Sequence, residues 1–551
     1  MIHDRPLFYC LGGNIIHIEV GDEISLKCNE IVHRLFVAVR ELTGVSETVQ
    51  AYASLSFKFD PRESTIESMK QKVEKALGSR DVDATPKRVV KVPVCYEDQF
   101  APDLAWVSSE KGLSREEIVK IHRSKRYTCM MLGYTPGFVF LDDVSSEIAV
   151  PRLETPRVRV PAGSVGIAGS QTGIYGVEAP GGWRLIGRTP LFMFDPDRDP
   201  PTLIEPGDNI EFEPISAAAF KSMMESIPKR RATHTGTPIL QVFQAGLITT
   251  VQDLGRTGYR HLGVPRSGGL DRLSQCQANY IVGNPAETPT LEIIGGRFKA
   301  RALEDILIAV TGADSPLKVN GKAMETYSAI QLRKGAEISL SWPLRGFVNY
   351  LAIAGVWDVD YTLGSFSTYV RAAFGGLEGR PLRAGDVIRA TRLSKEPLDR
   401  NVPEGERIKL STGIKLRMTP GPYPADPSRN FDRIHRASFK VSEASDRMGF
   451  RTKPLGSNSS SLVGGQVLTI PTYPGYVQVP PDGCPIILQQ DGQTSGGYFV
   501  AGVVLPEDLC RLSQLRPGEE LAFEQVDPEQ ATREVTGFCR LLERYNVCCL
   551  L

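Results

Sequence analysis

Neither sign of charge is in excess: 64 lysines and arginines face 64 aspartates and glutamates over 551 residues. A balanced chain has no net field to gather nucleic acid or an acidic membrane face, so small neutral or zwitterionic partners are expected. Histidine is scarce at seven residues, and none of the ten cysteines forms a C-x-x-C pair. Neither a zinc cage nor a disulfide framework is signalled, and reduced, mostly buried thiols are expected. No apolar run approaches the roughly 20 residues of a membrane helix. The opening MIHDRPLFYC has no secretory or transit pattern, which points to a cytoplasmic protein. The pattern G-x-x-x-x-G-K-S/T is missing, which excludes a P-loop. The last four residues, Cys548-Cys549-Leu550-Leu551, have the outline of a prenylation box. Without a polybasic stretch they read as an apolar tail with incidental cysteines, and no membrane anchor is inferred.

The chain is too long for one core, and its texture changes along its length. Ile31, Val32, Leu35, Phe36 and Val39, opened by Asn29, have helical spacing, as do Ile66, Met69, Val73 and Leu77. Ser114 and Glu117 form a capping box ahead of a third helix. Leu55, Phe57 and Phe59 alternate as in a half-buried strand. Residues 1–90 are therefore expected to be an α+β subdomain and 91–215 a β domain of short strands and Gly/Pro turns. Residues 216–238 read as a linker with a short helix, and 239–530 as a second half of two β-rich subdomains. Residues 531–551 read as a helical tail. The fold class expected is α+β and mostly β.

The densest motif is 163 GSVGIAGSQTGIYG followed by 180 PGGWRLIGRTP. Its glycines permit close approach of a ligand, and Ser170, Gln171 and Thr172 offer uncharged hydrogen-bonding groups, although a purely structural turn would use the same residues. With 94 VCYEDQFAPDL, 133 GYTPGFVFL and 151 PRLETPRVRVP, this series resembles the B subunit of 5-oxoprolinase, the KipI-type or allophanate-hydrolase-subunit-1-like proteins. The second half carries 246 GLITTVQDLGRTGYRHLGVPRSGGLD, 278 ANYIVGNP, 311 TGAD, 364 GSFSTYVRAAFGGLEGR, 445 SDRMGF and 477 VQVPPDGCPIILQQDGQTSGGY. These resemble the C subunit, the KipA-type or allophanate-hydrolase-subunit-2-like proteins. Both halves are similar to the carboxyltransferase domain of urea carboxylase, where the two units are fused in this order.

The resemblance implies cyclophilin-like β-barrels, ATP with Mg acting through a complex, a lactam or amide substrate, and a separate A component of LamB/YcsF type. A homo-oligomer is left open. Lactam opening needs anion clamps, a carboxylate and a general base. Candidates in matched motifs are His122, Asp253 and Asp271 for catalysis. Arg152, Arg157, Arg188, Arg256, Asn279, Asp314, Arg371, Asp446, Arg447, Gln478, Asp491, Gln493 and Thr494 join Ser170, Gln171 and Thr172 for binding. Each has a structural counterpart: a packed helix-face histidine, an intraloop ion pair or a strand bridge. No metal ligand is identified.

The chain departs from the C-type pattern where the family has arginine and this sequence has Val348 and Phe366, and where GPQ becomes Gly421-Pro422-Tyr423. Those changes are expected to make the second pocket less suited to an anion, leaving the substrate open. One alternative is a biotin-dependent carboxyltransferase with carboxylase and carrier in trans, since the chain has no Met-Lys-Met biotin site. Another is a KipI-like regulatory binding protein. Direct allophanate hydrolysis is weaker, since 456 GSNSSSLVGG only echoes an amidase signature.

Overall fold

The computed structural model describes residues 1–78, 88–226, 234–394, 399–423, 430–456 and 462–547; the Cys548 box and the serine run after Gly456 lie outside them. The protein is mostly sheet. Four antiparallel strands open the chain: β1 (Ile2–Leu11), β2 (Ile15–Gly21), β3 (Val45–Gln50) and β4 (Ser54–Phe59), in the spatial order β1-β2-β4-β3. Helices α1 (Leu26–Arg40) and α2 (Ile66–Gly78) cover one face through Val32, Leu35, Phe36, Val39, Met69 and Val73. α1 begins three residues before Asn29, capped by Ser25. Asn29 instead points inward, donating to the carbonyls of Tyr52 (3.2 Å) and Met130 (3.0 Å).

A seven-stranded sheet follows, from Arg184–Arg188 at one edge to Val89–Val94 at the other. Reciprocal backbone hydrogen bonds between Cys95 and Arg188, 2.8 and 3.0 Å, join those edges and close a barrel. Closure removes the exposed edges an open sheet would carry. Helices α3 (Leu104–Lys111) and α4 (Arg115–His122) pack on it, and α4 starts with the expected capping box of Ser114 and Glu117. A short α5 (Ala217–Glu225) ends the first half.

In the second half a seven-stranded and a five-stranded sheet enclose one core, with α6 (Arg272–Ile281) laid against the strands Ile306–Asp314 and Arg345–Ile353. After a one-turn α7 (Asn430–Ile434), an eight-stranded sheet closes where Gly413–Pro420 pairs with both Glu520–Gln525 and Ser495–Val504. α8 (Pro506–Ser513) and α9 (Pro528–Glu543) complete the chain. α9 buries Ala531, Val535, Phe538 and Leu542 rather than standing free. Among the described residues no helix is long and apolar enough to cross a membrane, and the cysteines are free thiols.

The expectation that β4 is half buried is corrected: all six of its residues are buried. Leu55, Phe57 and Phe59 face α1 and α2, as the alternation requires. The other face is covered by the second half, where Tyr473 donates to the Ser56 carbonyl at 3.0 Å.

Candidate functional site

Two loops of the second half meet, 264–272 and 489–494, where Ser267 N donates to the Gln490 carbonyl at 3.0 Å. Asp271 caps α6, accepting from Ser274 N (3.1 Å), Ser274 Oγ (2.6 Å) and Gln514 Nε2 (2.8 Å). Burial raises its carboxyl above the usual range, against those hydrogen bonds. Its own backbone N–H donates to the Tyr350 hydroxyl (2.7 Å), which donates to Glu292 Oε2 (2.7 Å). Glu292 binds Arg447 through its other oxygen, and Arg447 also donates to Asp491 (Nε to Oδ2, 2.9 Å) and the Gly268 carbonyl (2.7 Å). Burial opposes the charge on Arg447, but Asp491 and Glu292 outweigh it and hold its pKa above the ordinary value. Gly268 has φ +87°, and a Cβ there would meet the backbone of Asp253 and Gly255 at about 3.0 Å.

Asp253 is saturated: it accepts from Ser365 Oγ (2.6 Å), Ser367 Oγ (2.5 Å), Phe366 N (2.6 Å) and Gly255 N (2.8 Å). Those bonds pin the 365–367 turn. Arg256, only 1% exposed, donates through Nη2 to the Ser367 carbonyl and lies over the Phe374 ring at 4.8 Å. Its Nε and Nη1 have no hydrogen-bond partner among the described residues. Burial pulls its pKa down to about 10 although Asp253 and Asp491 are near. A guanidinium with unused, buried donors is a ready anion seat.

The same loops, on their other side, wall a small cavity. Arg266, Arg272 and Gln490 reach it from the second half, and Glu47 of β3 and Lys58 of β4 reach it from the first, with Leu509, Cys510 and Phe538 as apolar wall. Lys58 is 8% exposed and lies 5.4 Å from the Tyr473 ring centre. Burial draws its pKa down to about 7, Glu47 opposing and Arg266, Arg272 and Arg260 adding to the fall. Arg260 stacks over the same ring at 4.9 Å, donates to the Thr472 carbonyl (2.6 Å) and comes within 3.9 Å of Glu47.

Asp253, Arg256, Asp271, Arg447 and Asp491 are thus gathered into one buried region. Gln478 and Gln493 bond each other at 3.1 Å, and Thr494 is buried in the same loop. His122 is elsewhere, buried in the first barrel and stacked on Phe212 at 4.6 Å. Thr172 Oγ1 donates to the Gly166 carbonyl, so it accepts from His122 Nε2 (3.0 Å), and Nδ1 accepts from the Tyr96 hydroxyl (3.0 Å). Burial lowers its pKa to about 3. Tyr96 also lines an open cleft of about 930 Å³ with Glu97, Asp98, Arg115, Glu116, Lys120 and Arg123.

The remaining candidates make local contacts. Arg152 is exposed near Trp183, Arg157 pairs with Asp103 (2.7 Å), and Ser170 donates to Asp143 (2.7 Å). Gln171 is buried in its strand. Arg188 donates to the Ala162 carbonyl (2.9 Å) beneath Phe220. Asn279 ties the 286–288 turn, Asp314 pairs with Arg345, and Arg371 pairs with Asp446 at the surface. Of the changed positions, Val348 is in the core, Phe366 packs on Tyr361 and Tyr423 stacks on Phe499. None lines the cavity.

Sequence reasoning passed over Glu47, Lys58, Arg260, Arg266, Arg272, Glu292 and Tyr350. Arg260 and Arg266 lie inside a quoted motif, and Glu292 is a lone charge within the apolar strand Thr290–Ile294; both are usable signals. Lys58 gives none, because its strand face reads as solvent.

Comparison with known proteins matches residues 6–204 to the family model "Carboxyltransferase domain, subdomain C and D" and residues 262–525 to "Carboxyltransferase domain, subdomain A and B". The chain is 41% identical over 228 residues to the 5-oxoprolinase B subunit of Bacillus subtilis, covering 39% of this chain and 95% of that one. It is 35% identical over 297 residues to the 5-oxoprolinase C subunit of Escherichia coli K12, covering 54% and 94%. The crystal structure of TTHA0988 superposes with a TM-score of 0.81 at 34% identity, covering 93% of this chain and 99% of that one. The chain belongs to the carboxyltransferase-domain family, as one polypeptide in which a half like the 5-oxoprolinase B subunit precedes a half like the C subunit.

Proposed function

We propose that this chain supplies the B and C components of an ATP-dependent lactam hydrolase that opens 5-oxoproline to glutamate with a separate A component of LamB/YcsF type, in the cytoplasm. The observation that carries the reading is that each half matches nearly the full length of a protein named as a 5-oxoprolinase subunit, one of B type and one of C type. The buried cations between the halves support it, since 5-oxoproline bears a carboxylate that such groups bind.

The nucleotide fits less well. The cavity between the halves has room for about two water molecules, and the three cations of the large cleft are matched by Glu97, Asp98 and Glu116. Among the described residues no three His, Cys, Asp or Glu side chains gather as a metal cage. In this reading ATP and its Mg act through the assembled complex.

Within this reading Arg256 orients an anionic group through its unused donors, and Asp253 and Asp271 hold the loops that frame it. The chain mixed with the A component should hydrolyse ATP only when 5-oxoproline is present, and Arg256→Met should raise KM more than it lowers kcat. No 5-oxoproline-dependent hydrolysis would sink the proposal. Transfer from carboxybiotin instead would favour the second reading, a carboxyltransferase, which the description of the matching family model motivates.

A further inference from the structure

We propose that three neighbouring turns of the second half, 245–248, 294–298 and 341–347, form a docking surface for a protein that presents carboxylates around an apolar contact, and that this protein is the separate A component. The choice of partner rests on the hydrolase reading; the surface itself does not.

The apolar centre comes first. Leu247, Trp342 and Leu344 are 54%, 38% and 67% exposed, all in turns between strands. Leu247 and Trp342 lean on the same stretch of backbone. A Cβ on Gly295, which has φ +72°, would meet Leu247 Cδ1 at 2.6 Å and Trp342 Cζ3 at 3.2 Å. Glycine at that position leaves room for two large side chains to close over the chain. Phe347, half-buried, sets its ring 6.0 Å from that of Trp342. Exposed apolar side chains that touch one another mark an interaction surface, whereas scattered ones do not. Fixed side chains lose little freedom on binding, and Trp beside Arg is the composition of interface hot spots.

Charge names the partner. Arg297, held at φ +55°, places its guanidinium 5.2 Å from the Trp342 ring centre. Arg297 and Lys299 are exposed and form no ion pair among the described residues, whereas Arg345 pairs with Asp314 at 3.3 Å. Two cations without a counter-charge therefore border the apolar centre, and carboxylates on a partner would complement them. Two copies of the chain about a two-fold axis would meet through this same cation-bordered face, which disfavours a self-dimer. Two cations also fall short of the roughly four to eight basic residues of a lipid-binding cluster. The 341–347 turn is tied to the candidate site as well. Phe347 N donates to Gln514 Oε1 at 2.9 Å, and Gln514 Nε2 donates to Asp271 at 2.8 Å. A partner seated on this turn is one side chain away from Asp271, which favours a component of the same reaction over an unrelated protein.

Interferometry with the immobilised full chain and the purified A component tests this. Wild type should bind, and Leu344→Glu and Arg297→Glu should each weaken binding about ten- to hundredfold. Val158→Glu, at an exposed position of the first half, should change nothing. Added salt should weaken the wild-type complex more than that of Arg297→Glu. Leu344 and Arg297 are exposed, so both variants should unfold at the wild-type temperature. Lys299→Glu, within a regular strand, replaces either one that does not. Equal affinities in wild type and the variants would overturn the surface, while the hydrolase reading would still stand on ATP turnover. No binding of the A component overturns the proposal outright, and absent 5-oxoproline-dependent turnover removes the hydrolase reading as well. Self-association that Leu344→Glu abolishes, or capture by phosphatidylserine vesicles, would give the surface to a second copy or a membrane and overturn the proposal equally.

Discussion

At the scale of single residues, burial decides what each ionisable group can do. His122 and His17 are fully buried with pKa values lowered to about 3, desolvation being the cause in both. A base whose folded pKa lies below its unfolded value near 6.5 contributes stability that is complete above that value. The contribution is lost as pH falls through 6.5 toward 3, because the unfolded chain takes up protons that the native one refuses. Each such histidine adds about 1.4 kcal/mol per pH unit to the acid-side slope of stability. Urea unfolding at pH 6, 5 and 4 should therefore show a slope shallower by about that amount in His122→Gln. An unchanged slope would mean that His122 titrates normally, contrary to its packing between Phe212, Tyr96 and Thr172.

At the scale of elements, local chemistry is legible where the decisive partners are near in sequence. Ser114 and Glu117 announce α4 because a capping box is complete within four residues. The start of α1 reads three residues late because Asn29, a common helix starter, is held inside the helix by carbonyls from distant strands. β4 alternates as expected, yet both faces are buried, because its polar face meets residues more than 400 positions away. Lys58 and Glu47 are hidden in the same way, since Arg260, Arg266 and Arg272 lie more than 200 positions away from them. Asp271, by contrast, is visible in its motif, where it reads as a catalytic candidate. The bond it accepts from Ser274 N makes it the cap of α6, and capping and charge separate experimentally. Asp271→Asn keeps an N-cap acceptor and should retain nearly wild-type stability, whereas Asp271→Ala should lose about 1–2 kcal/mol, read from equilibrium denaturation. Equal losses in both would assign the effect to charge rather than to capping.

At the scale of the whole molecule, the B-then-C order is legible from motifs, but how the halves are joined is not, since that depends on side chains that meet only when folded. Leu11, Ile15 and Val49 share a core with Tyr473, Tyr476, Val500 and Val503. Leu262, Val264, Tyr369 and Phe374 enter the core of the first barrel. Hydrogen bonds from Gly12 N to Thr419 Oγ1 (2.9 Å), Tyr134 N to Ser495 Oγ (3.0 Å) and Thr532 Oγ1 to the Gly13 carbonyl (3.0 Å) cross the same seam. An interface with apolar clusters at its centre and buried cations beside them does not depend on the covalent link to persist. A protease site inserted between residues 226 and 234, then cut, should leave two fragments that co-elute in size-exclusion chromatography at micromolar concentration. Lys58 and Arg260 set the condition on that outcome: raising pH from 6.5 to 8.5 neutralises Lys58 and lowers the positive charge gathered around Tyr473, so association of the cut halves should hold or tighten with pH. Fragments that separate at both pH values would show that the linker, not the seam, holds the two halves together.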